Sequence, residues 1–209
     1  MTNIIIADDH PVVRTGLKQF LNDESGLNVI GEAENYTDVI TLLQENTCDL
    51  LLLDISMPGM NGLEILRQIR NSYPETKVLI LSVHPEEQYA IRAFKEGASG
   101  YITKDSAPDE LIKAVNKIME GGKYVSPRFA EKLAENILPD NQGPLHNALS
   151  NREFDVMVKI AQGKSLTEIS EDLFISIKTV SAYRSRILHK LNMTNNAELV
   201  QYCLREKLI

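Results

Sequence analysis

Five polar side chains stand where short apolar runs of the sequence end. They are two adjacent aspartates, a third aspartate, a serine and a lysine: Asp8, Asp9, Asp54, Ser82 and Lys104. Each run is rich in Ile, Val and Leu, which is typical of a buried strand. Because the carboxyl ends of parallel strands meet at one edge of a sheet, we expect the five side chains to share one pocket.

The residue types in this set favour phosphoryl chemistry. Three carboxylates in one pocket repel each other unless a cation joins them, and oxygen ligands suit Mg²⁺. A carboxylate can also act as a nucleophile and form an aspartyl-phosphate. Lys104 could then place a point charge on a phosphoryl oxygen, and the Ser82 hydroxyl could donate to another. Any one aspartate alone would more often be a turn residue, but five complementary groups at four strand ends favour a site.

The elements that must position these groups alternate along the first part of the chain. Strand-like runs occur at 3–7, 27–31, 50–53, 77–81 and 100–102, and helical patterns occur at about 11–22, 36–46, 62–71, 86–96 and 108–120. Five strand–helix pairs in this order predict an α/β fold, a doubly wound five-stranded parallel sheet.

The rest of the chain has no strand-like alternation. Residues 126–138 resemble one short helix, and residues 139–144 read as a linker. Ser150 followed by Glu153 forms a capping box, which predicts a helix that ends near Gly163. Two more helices, at about 166–173 and 177–191, surround a short turn. Two helices around such a turn are the arrangement that reads DNA, so a small all-α helix-turn-helix domain is expected.

The second of these helices has two different faces. Apolar residues form a predicted buried stripe: Ile177, Val180, Ile187, Leu188 and Leu191. Basic, hydroxyl-bearing and small residues form a predicted DNA-binding face: Lys178, Thr179, Ser181, Ala182, Tyr183, Ser185, Arg186 and Lys190. Small side chains permit close approach to base edges, and Arg and Lys reach phosphate or guanine. The alternative is a solvated basic face on a small bundle.

Composition sets limits on location and partners. The chain has 209 residues and a net charge of −7, but residues 149–209 carry nine Lys and Arg against seven Asp and Glu. DNA binding at that end is therefore permitted. We expect no membrane span, because no apolar run approaches the roughly 20 residues that one needs. Two widely spaced cysteines and the lack of a basic leader favour a cytoplasmic protein.

Residues 1–122 resemble the receiver domain of two-component signalling, which has a flavodoxin-like sheet. The resemblance lies in Asp8-Asp9, in the run from Leu53 to Gly62, in Ser82 and in the segment Tyr101-Ile102-Thr103-Lys104. It implies that Asp54 is the phosphoacceptor and that Lys104, Ser82 and the switch aromatic Tyr101 act with it. It also implies a Mg²⁺ site formed by Asp8, Asp9, Asp54 and the backbone carbonyl of Ser56.

Residues 149–209 resemble the LuxR-type helix-turn-helix, and the whole chain is similar to the NarL/FixJ family of response regulators. The segments that match are 149–153, 160–165, 168–170 and 175–181, with Lys190-Leu191 and Leu208-Ile209. Many members have Lys and His where this chain has Ser181 and Tyr183, so the individual base contacts are left open. Residues 123–148 would be a linker with one short helix.

The resemblance implies a response regulator and not an enzyme. A sensor histidine kinase would phosphorylate Asp54 and thereby control binding to duplex DNA, with a homodimer forming on phosphorylation or on DNA. Two alternatives belong to other classes: a phosphohydrolase that uses Asp54 as its nucleophile, and an adaptor whose helical domain no longer binds DNA.

Overall fold

The computed structural model describes residues 1–57, 61–106, 108–135 and 144–209, without the side chains of 109 and 132–135. The chain divides into two compact units, Met1–Ile137 and Leu138–Ile209. Pro58 and Gly59 of the loop after Asp54, and most of the predicted linker at 139–144, lie outside the described residues.

The first unit contains the predicted parallel sheet. Its strands are β1 (Thr2–Ala7), β2 (Leu27–Ala33), β3 (Leu50–Leu53), β4 (Lys77–Ser82) and β5 (Gly100–Thr103). All neighbouring pairs are parallel, in the order β2-β1-β3-β4-β5. The order in which strands are added to the sheet changes direction between β1 and β3. The strand ends that bear Asp8 and Asp54 therefore flank the crevice where ligands bind in such sheets. The predicted α/β fold class is confirmed.

Helices connect the strands and cover the sheet. They are α1 (Pro11–Asn22), α2 (Tyr36–Glu45), α3 (Gly62–Ser72), α4 (Glu86–Lys95) and α5 (Pro108–Met119), followed by α6 (Pro127–Glu135). Pro stands at the first position of α1, α5 and α6, where its missing N–H is not needed.

The core explains why β3 can be a run of four leucines. All four are at most 1% exposed, because a central strand buries both of its faces. Leu50 and Leu52 pack on one side with Ile4, Ile6 and residues of α5. Leu51 and Leu53 point to the opposite side because side chains alternate along a strand. This packing fixes the position of Asp54, the next residue in the chain.

The second unit is all-helical, with α7 (Asn151–Ala161), α8 (Leu166–Asp172), α9 (Ile177–Lys190) and α10 (Asn196–Arg205) after a 3₁₀ turn at Leu145–Ala148. The predicted capping box of Ser150 and Glu153 is confirmed, and Ser165 with Glu168 forms a second one. Gly163 after α7 has a φ of +85°, a conformation that favours glycine. Ser176 caps α9 by accepting a hydrogen bond from the N–H of Thr179.

One prediction about the buried stripe of α9 is wrong. Val180, Ile187 and Leu191 are buried and Leu188 is half-buried, but Ile177 is 48% exposed. Ile177 is the first residue of the helix, and side chains tilt toward the helix N-terminus. Its side chain therefore projects past the start of α9 and away from the packed stripe.

No helix in the described parts of the chain has both the length and the apolar character needed to cross a membrane.

Candidate functional site

The side chains predicted to share a pocket lie at the carboxyl edge of the sheet. Asp8 directly follows β1, Asp54 directly follows β3, Ser82 is the last residue of β4 and Lys104 directly follows β5. Asp54 is placed by its own N–H, which donates to the carbonyl of Ala7 at the end of β1 (2.8 Å).

Asp54 is almost fully buried, with 1% of its surface exposed. Its Oδ1 accepts a hydrogen bond from the N–H of Ser56 at 2.8 Å, and its Oδ2 accepts one from Lys104 Nζ at 2.6 Å. Burial raises the pKa of Asp54, and the hydrogen bond and charge of Lys104 lower it only in part. Both oxygens are thus held in fixed directions in a site that water barely reaches.

Lys104 joins two of the pocket's carboxylates. Its Nζ lies 2.6 Å from Asp54 Oδ2 and 2.6 Å from Asp8 Oδ2. Burial alone would lower the pKa of Lys104, but its hydrogen bond with Asp54, its close contact with Asp8 and the negative charges of both outweigh this and raise it. The ammonium is therefore charged and fixed between the first and third strands.

The pocket also has the donor set of a cation site. One ligand atom each from Asp8, Asp9, His10 and Asp54 lies within 4.8 Å of the others. Asp8 Oδ2 and Asp9 Oδ1 are buried and accept no well-directed hydrogen bond from the described residues, although Lys104 and His10 approach them as ion-pair partners. Three carboxylates against one lysine leave a negative excess. These residues fit a divalent cation with oxygen ligands.

The two predicted switch residues, Ser82 and Tyr101, meet at the backbone of His84. Ser82 Oγ accepts a hydrogen bond from the His84 N–H at 3.1 Å, and the Tyr101 hydroxyl donates to the His84 carbonyl at 2.9 Å. Both side chains are fully buried. Burial raises the pKa of Tyr101 more than its hydrogen bond with Ser82 lowers it, so this hydroxyl stays protonated.

One residue of the pocket was missed in the sequence. Arg14 of α1 is 6% exposed, and its Nη1 donates to the backbone carbonyl of Asp8 at 2.6 Å. Its Nη2 pairs with Glu34, which fixes the arginine from the other side. The sequence did contain a signal for this position. Arg14 stands three residues before Leu17 and seven before Leu21, a spacing that places it on the apolar face of α1, where a cation is unusual.

The predicted DNA-binding face of α9 is largely open to solvent. Lys178, Ala182, Ser185, Arg186 and Lys190 are exposed, and the remaining members are half-buried: Thr179, Ser181 and Tyr183. The guanidinium of Arg186 packs against the face of the Tyr183 ring, with its central carbon 5.6 Å from the ring centre.

Two basic residues of α9 are engaged inside the helical unit. Lys190 Nζ lies 2.6 Å from Oε2 of Glu153, the glutamate of the α7 capping box. Arg184 Nε donates to Asn196 Oδ1 at the start of α10 (2.7 Å). Lys190 stays a predicted DNA contact, but its side chain also ties α9 to the start of α7.

Two family models match the chain in the two regions described above. The model for the response regulator receiver domain matches residues 4–116, and the model for bacterial regulatory proteins of the luxR family matches residues 147–203. The first covers the sheet with the acidic pocket, and the second covers α7 to α9 and most of α10.

Relatives match over the full length. Response regulator UvrY of Escherichia coli K12 is 36% identical over 100% of this chain and 96% of that protein. Response regulator GacA of Pseudomonas aeruginosa is 35% identical over 100% of this chain and 98% of that protein. A solved structure of RcsB from Salmonella enterica serovar Typhimurium, bound to promoter rprA with phosphomimetic BeF₃⁻, is 30% identical, with a TM-score of 0.70 over 96% of this chain and 97% of that one.

The pocket, the helix-turn-helix and these matches lead to one conclusion: the chain belongs to the NarL/FixJ family of two-component response regulators, which are transcription regulators.

Proposed function

We propose that this protein is a cytoplasmic regulator in which phosphorylation of Asp54 controls sequence-specific DNA binding by α9. The observation that carries the proposal is the position of Asp54. Its carboxylate is buried at the crevice of the sheet, held by the Ser56 N–H and by Lys104, beside two more carboxylates.

The phosphoryl chemistry follows from this arrangement. A carboxylate oxygen of Asp54 attacks phosphorus of a phosphohistidine on a sensor kinase, or of acetyl phosphate. The P–N bond to imidazole or the P–O bond to acetate breaks, and an aspartyl-phosphate forms. The ammonium of Lys104, already beside Asp54, is in place to stabilise negative charge on the transferred group.

Asp8, Asp9 and Asp54 would hold Mg²⁺, with the carbonyl of Ser56 as a further ligand. Bound there, Mg²⁺ supplies positive charge that offsets the mutual repulsion of carboxylate and phosphoryl oxygens. Arg14 supports the site by holding the backbone of Asp8.

The switch would run from Ser82 to Tyr101. The Ser82 hydroxyl lies at the pocket edge of β4 and turns to donate to a phosphoryl oxygen. Tyr101 shares the backbone of His84 with Ser82, so a movement of Ser82 is transmitted to the tyrosine.

The proposed output is binding to duplex DNA. The exposed face of α9 combines cations for phosphate or guanine with small and hydroxyl-bearing residues: Lys178, Thr179, Ser181, Ala182, Tyr183, Ser185, Arg186 and Lys190. RcsB, a structural relative, is bound to a promoter in one solved structure and forms dimers on DNA in another. We propose the same class of ligand here, and a homodimer on phosphorylation or on DNA.

We further propose that residues 1–122 form the receiver domain, 123–148 a linker and 149–209 the DNA-binding domain, and that the protein is not an enzyme. We also propose that α10 contributes to the dimer contact through Leu204, which is exposed, whereas Leu199 and Cys203 of the same helix are fully buried within the chain.

The test is labelling by acetyl phosphate in the presence of Mg²⁺. Wild type should be labelled, and Asp54→Asn should lose labelling completely because its amide is no longer a nucleophile. Asp105→Asn is the matched control, since Asp105 is an exposed aspartate one residue after Lys104. Equal labelling of the Asp54 variant and wild type would refute the assignment. Multiple-turnover hydrolysis of p-nitrophenyl phosphate would favour the phosphohydrolase.

A further inference from the structure

The segment that follows α5 is built into the edge of the sheet. The N–H of Tyr101 in β5 donates to the carbonyl of Tyr124 (3.1 Å), and the N–H of Tyr124 donates to the carbonyl of Ser99 (3.0 Å). Tyr124 is 8% exposed. A Cβ at Gly100 would lie 3.1 Å from the Tyr124 carbonyl, so the missing side chain permits this close pairing. Tyr101 thus contacts the segment directly through its own backbone.

Two residues later the same segment starts helix α6. Ser126 caps this helix: its Oγ accepts from the N–H of Phe129 at 3.2 Å, and its carbonyl accepts from the N–H of Ala130 at 3.0 Å. Phe129 is 4% exposed and anchors the first turn in the core of the unit. The position of Ser126 therefore helps to stabilise the first turn of α6.

Ser126 is itself held by a buried carboxylate. Glu86, the first residue of α4, is 8% exposed. Its Oε1 accepts from the Ser126 N–H at 2.9 Å, and its Oε2 accepts from the Ser126 hydroxyl. Both oxygens are used on one residue. Hydrogen bonds to a charged, buried acceptor are stronger than neutral ones, so this contact holds the start of α6 firmly.

Glu86 stands two residues after His84, the residue that both switch side chains contact. Ser82 Oγ accepts a hydrogen bond from the His84 N–H, and the Tyr101 hydroxyl donates one to the His84 carbonyl. The contacts close a ring. The Tyr101 hydroxyl binds the backbone of His84, and the chain leads from His84 to Glu86, which binds Ser126. The chain then leads back from Ser126 to Tyr124, whose carbonyl accepts from the Tyr101 N–H.

We propose that Glu86 is a positioning residue that couples the Ser82–Tyr101 switch to helix α6 by holding or releasing Ser126. The proposal rests on the proposed function, because it takes phosphorylation of Asp54 as the input. When Ser82 turns to the phosphoryl group, the His84 N–H loses its acceptor and the chain from His84 to Glu86 shifts. The carboxylate of Glu86 then no longer meets both donors of Ser126, and the first turn of α6 opens more often.

The test is hydrogen exchange of the full chain, measured with and without beryllofluoride and Mg²⁺. In wild type we expect amides 129–131 to exchange about tenfold faster with the mimic, a change typical of losing one strong hydrogen bond from a local opening equilibrium. In Glu86→Ala these amides should exchange fast in both states, so that the mimic adds less than twofold. In Ser126→Ala the response should shrink, because the hydroxyl contact and the cap are lost.

Two further variants separate coupling from a structural role. Glu87→Ala removes an exposed carboxylate from the same turn of α4 and leaves both contacts with Ser126 in place, so the tenfold response should persist. Glu86→Gln keeps an oxygen for the Ser126 N–H and should restore part of the response. A residue with a purely structural role would change the exchange rate in both states equally and leave the ratio between them intact.

Binding of the mimic is followed separately, by the exchange of the Ser56 amide that donates to Asp54. If Ser56 responds and amides 129–131 do not, or if they respond equally in Glu86→Ala, the coupling is wrong and the proposed function stands. If Ser56 does not respond in wild type, both are wrong.

Discussion

The acidic pocket and the exposed face of α9 use charge in opposite ways. In the pocket, the buried Asp54 accepts a hydrogen bond from Lys104, whose side chain is only 11% exposed, so that removal of either leaves a charge that water replaces poorly. On α9, residues such as Arg186 face solvent and rest on neighbours of the same helix. A single change in the pocket should therefore cost far more than a single change on α9.

The largest effect is expected for Lys104→Met. It removes the cation that joins Asp8 and Asp54, and the loss of such preorganised charge typically costs about 100-fold or more in rate. The initial rate of labelling by acetyl phosphate measures this. Lys18→Met is the control, because Lys18 forms a half-exposed ion pair with Glu32 on the same unit. A Lys104 variant labelled within threefold of wild type would show that the pocket does not depend on this charge.

Gly62→Ala should destabilise the first unit by about 3 kcal/mol. A Cβ at Gly62 would lie 2.3 Å from the backbone Cα of Ile55, so the loop that carries Asp54 must shift. Gly16 in α1 has no atom within 4 Å of such a Cβ, and Gly16→Ala should stabilise by about 0.5–1 kcal/mol through helix propensity. Urea unfolding of both variants measures the difference. Equal effects at the two glycines would contradict the close approach.

Glu153→Gln should destabilise the helical unit by about 1–2 kcal/mol at pH 7. Burial would raise the pKa of Glu153, but hydrogen bonds from Lys190 and Ser150 outweigh it and lower the pKa. A carboxyl whose pKa is lower in the folded state stabilises above its unfolded pKa, so the contribution is lost as pH falls below about 4.5 through the folded value.

The measurement is urea unfolding followed by the NMR signals of Tyr202, at pH 7 and at low pH. The Glu153 variant should differ from wild type at pH 7 and converge with it in acid. Glu168→Gln, at the same position of the exposed capping box of α8, should show a smaller difference. A gap that stays constant with pH would mean that the carboxylate charge is not what stabilises the start of α7.

The smallest effect is expected for Arg186→Ala. A single exposed cation on α9 should change the affinity for duplex DNA by about threefold to tenfold and reduce the slope of log K against log salt by about one. Arg205→Ala on α10 should leave the slope unchanged, since Arg205 lies off the α9 face and next to Glu206. An unchanged slope in the Arg186 variant would remove that residue from the DNA contact.

The acidic pocket and α9 also differ in how much of them could be predicted from the sequence. Asp54, Ser82 and Lys104 could be predicted to share a pocket because the carboxyl ends of parallel strands meet at one edge of a sheet. Once the strands are known, residues far apart in sequence can be placed together. The strands themselves were readable because β3 is wholly apolar. The bounds of α1 and of most other helices followed from apolar periodicity, proline and capping residues.

Other features depend on tertiary contacts that no local pattern encodes. Lys190 is a predicted DNA contact by its type and helix position, but its ion pair with Glu153, which lies on another helix, could not be predicted from the sequence. Ile177 matches the periodicity of the stripe, but within the first turn of α9 Val180 is buried whereas Ile177, the first residue, is exposed. His84 contacts both Ser82 and Tyr101 through its backbone, and the identity of its side chain does not reveal these contacts.

The most direct test of the account measures the DNA affinity of the full chain in Mg²⁺, with and without beryllofluoride. The probe is a duplex that the wild-type chain itself selects from a random library. For wild type we expect the mimic to tighten binding at least tenfold, and for Asp54→Asn we expect no change. An equal shift in both proteins, or no shift in a wild type whose pocket binds the mimic, would contradict control of DNA binding by Asp54.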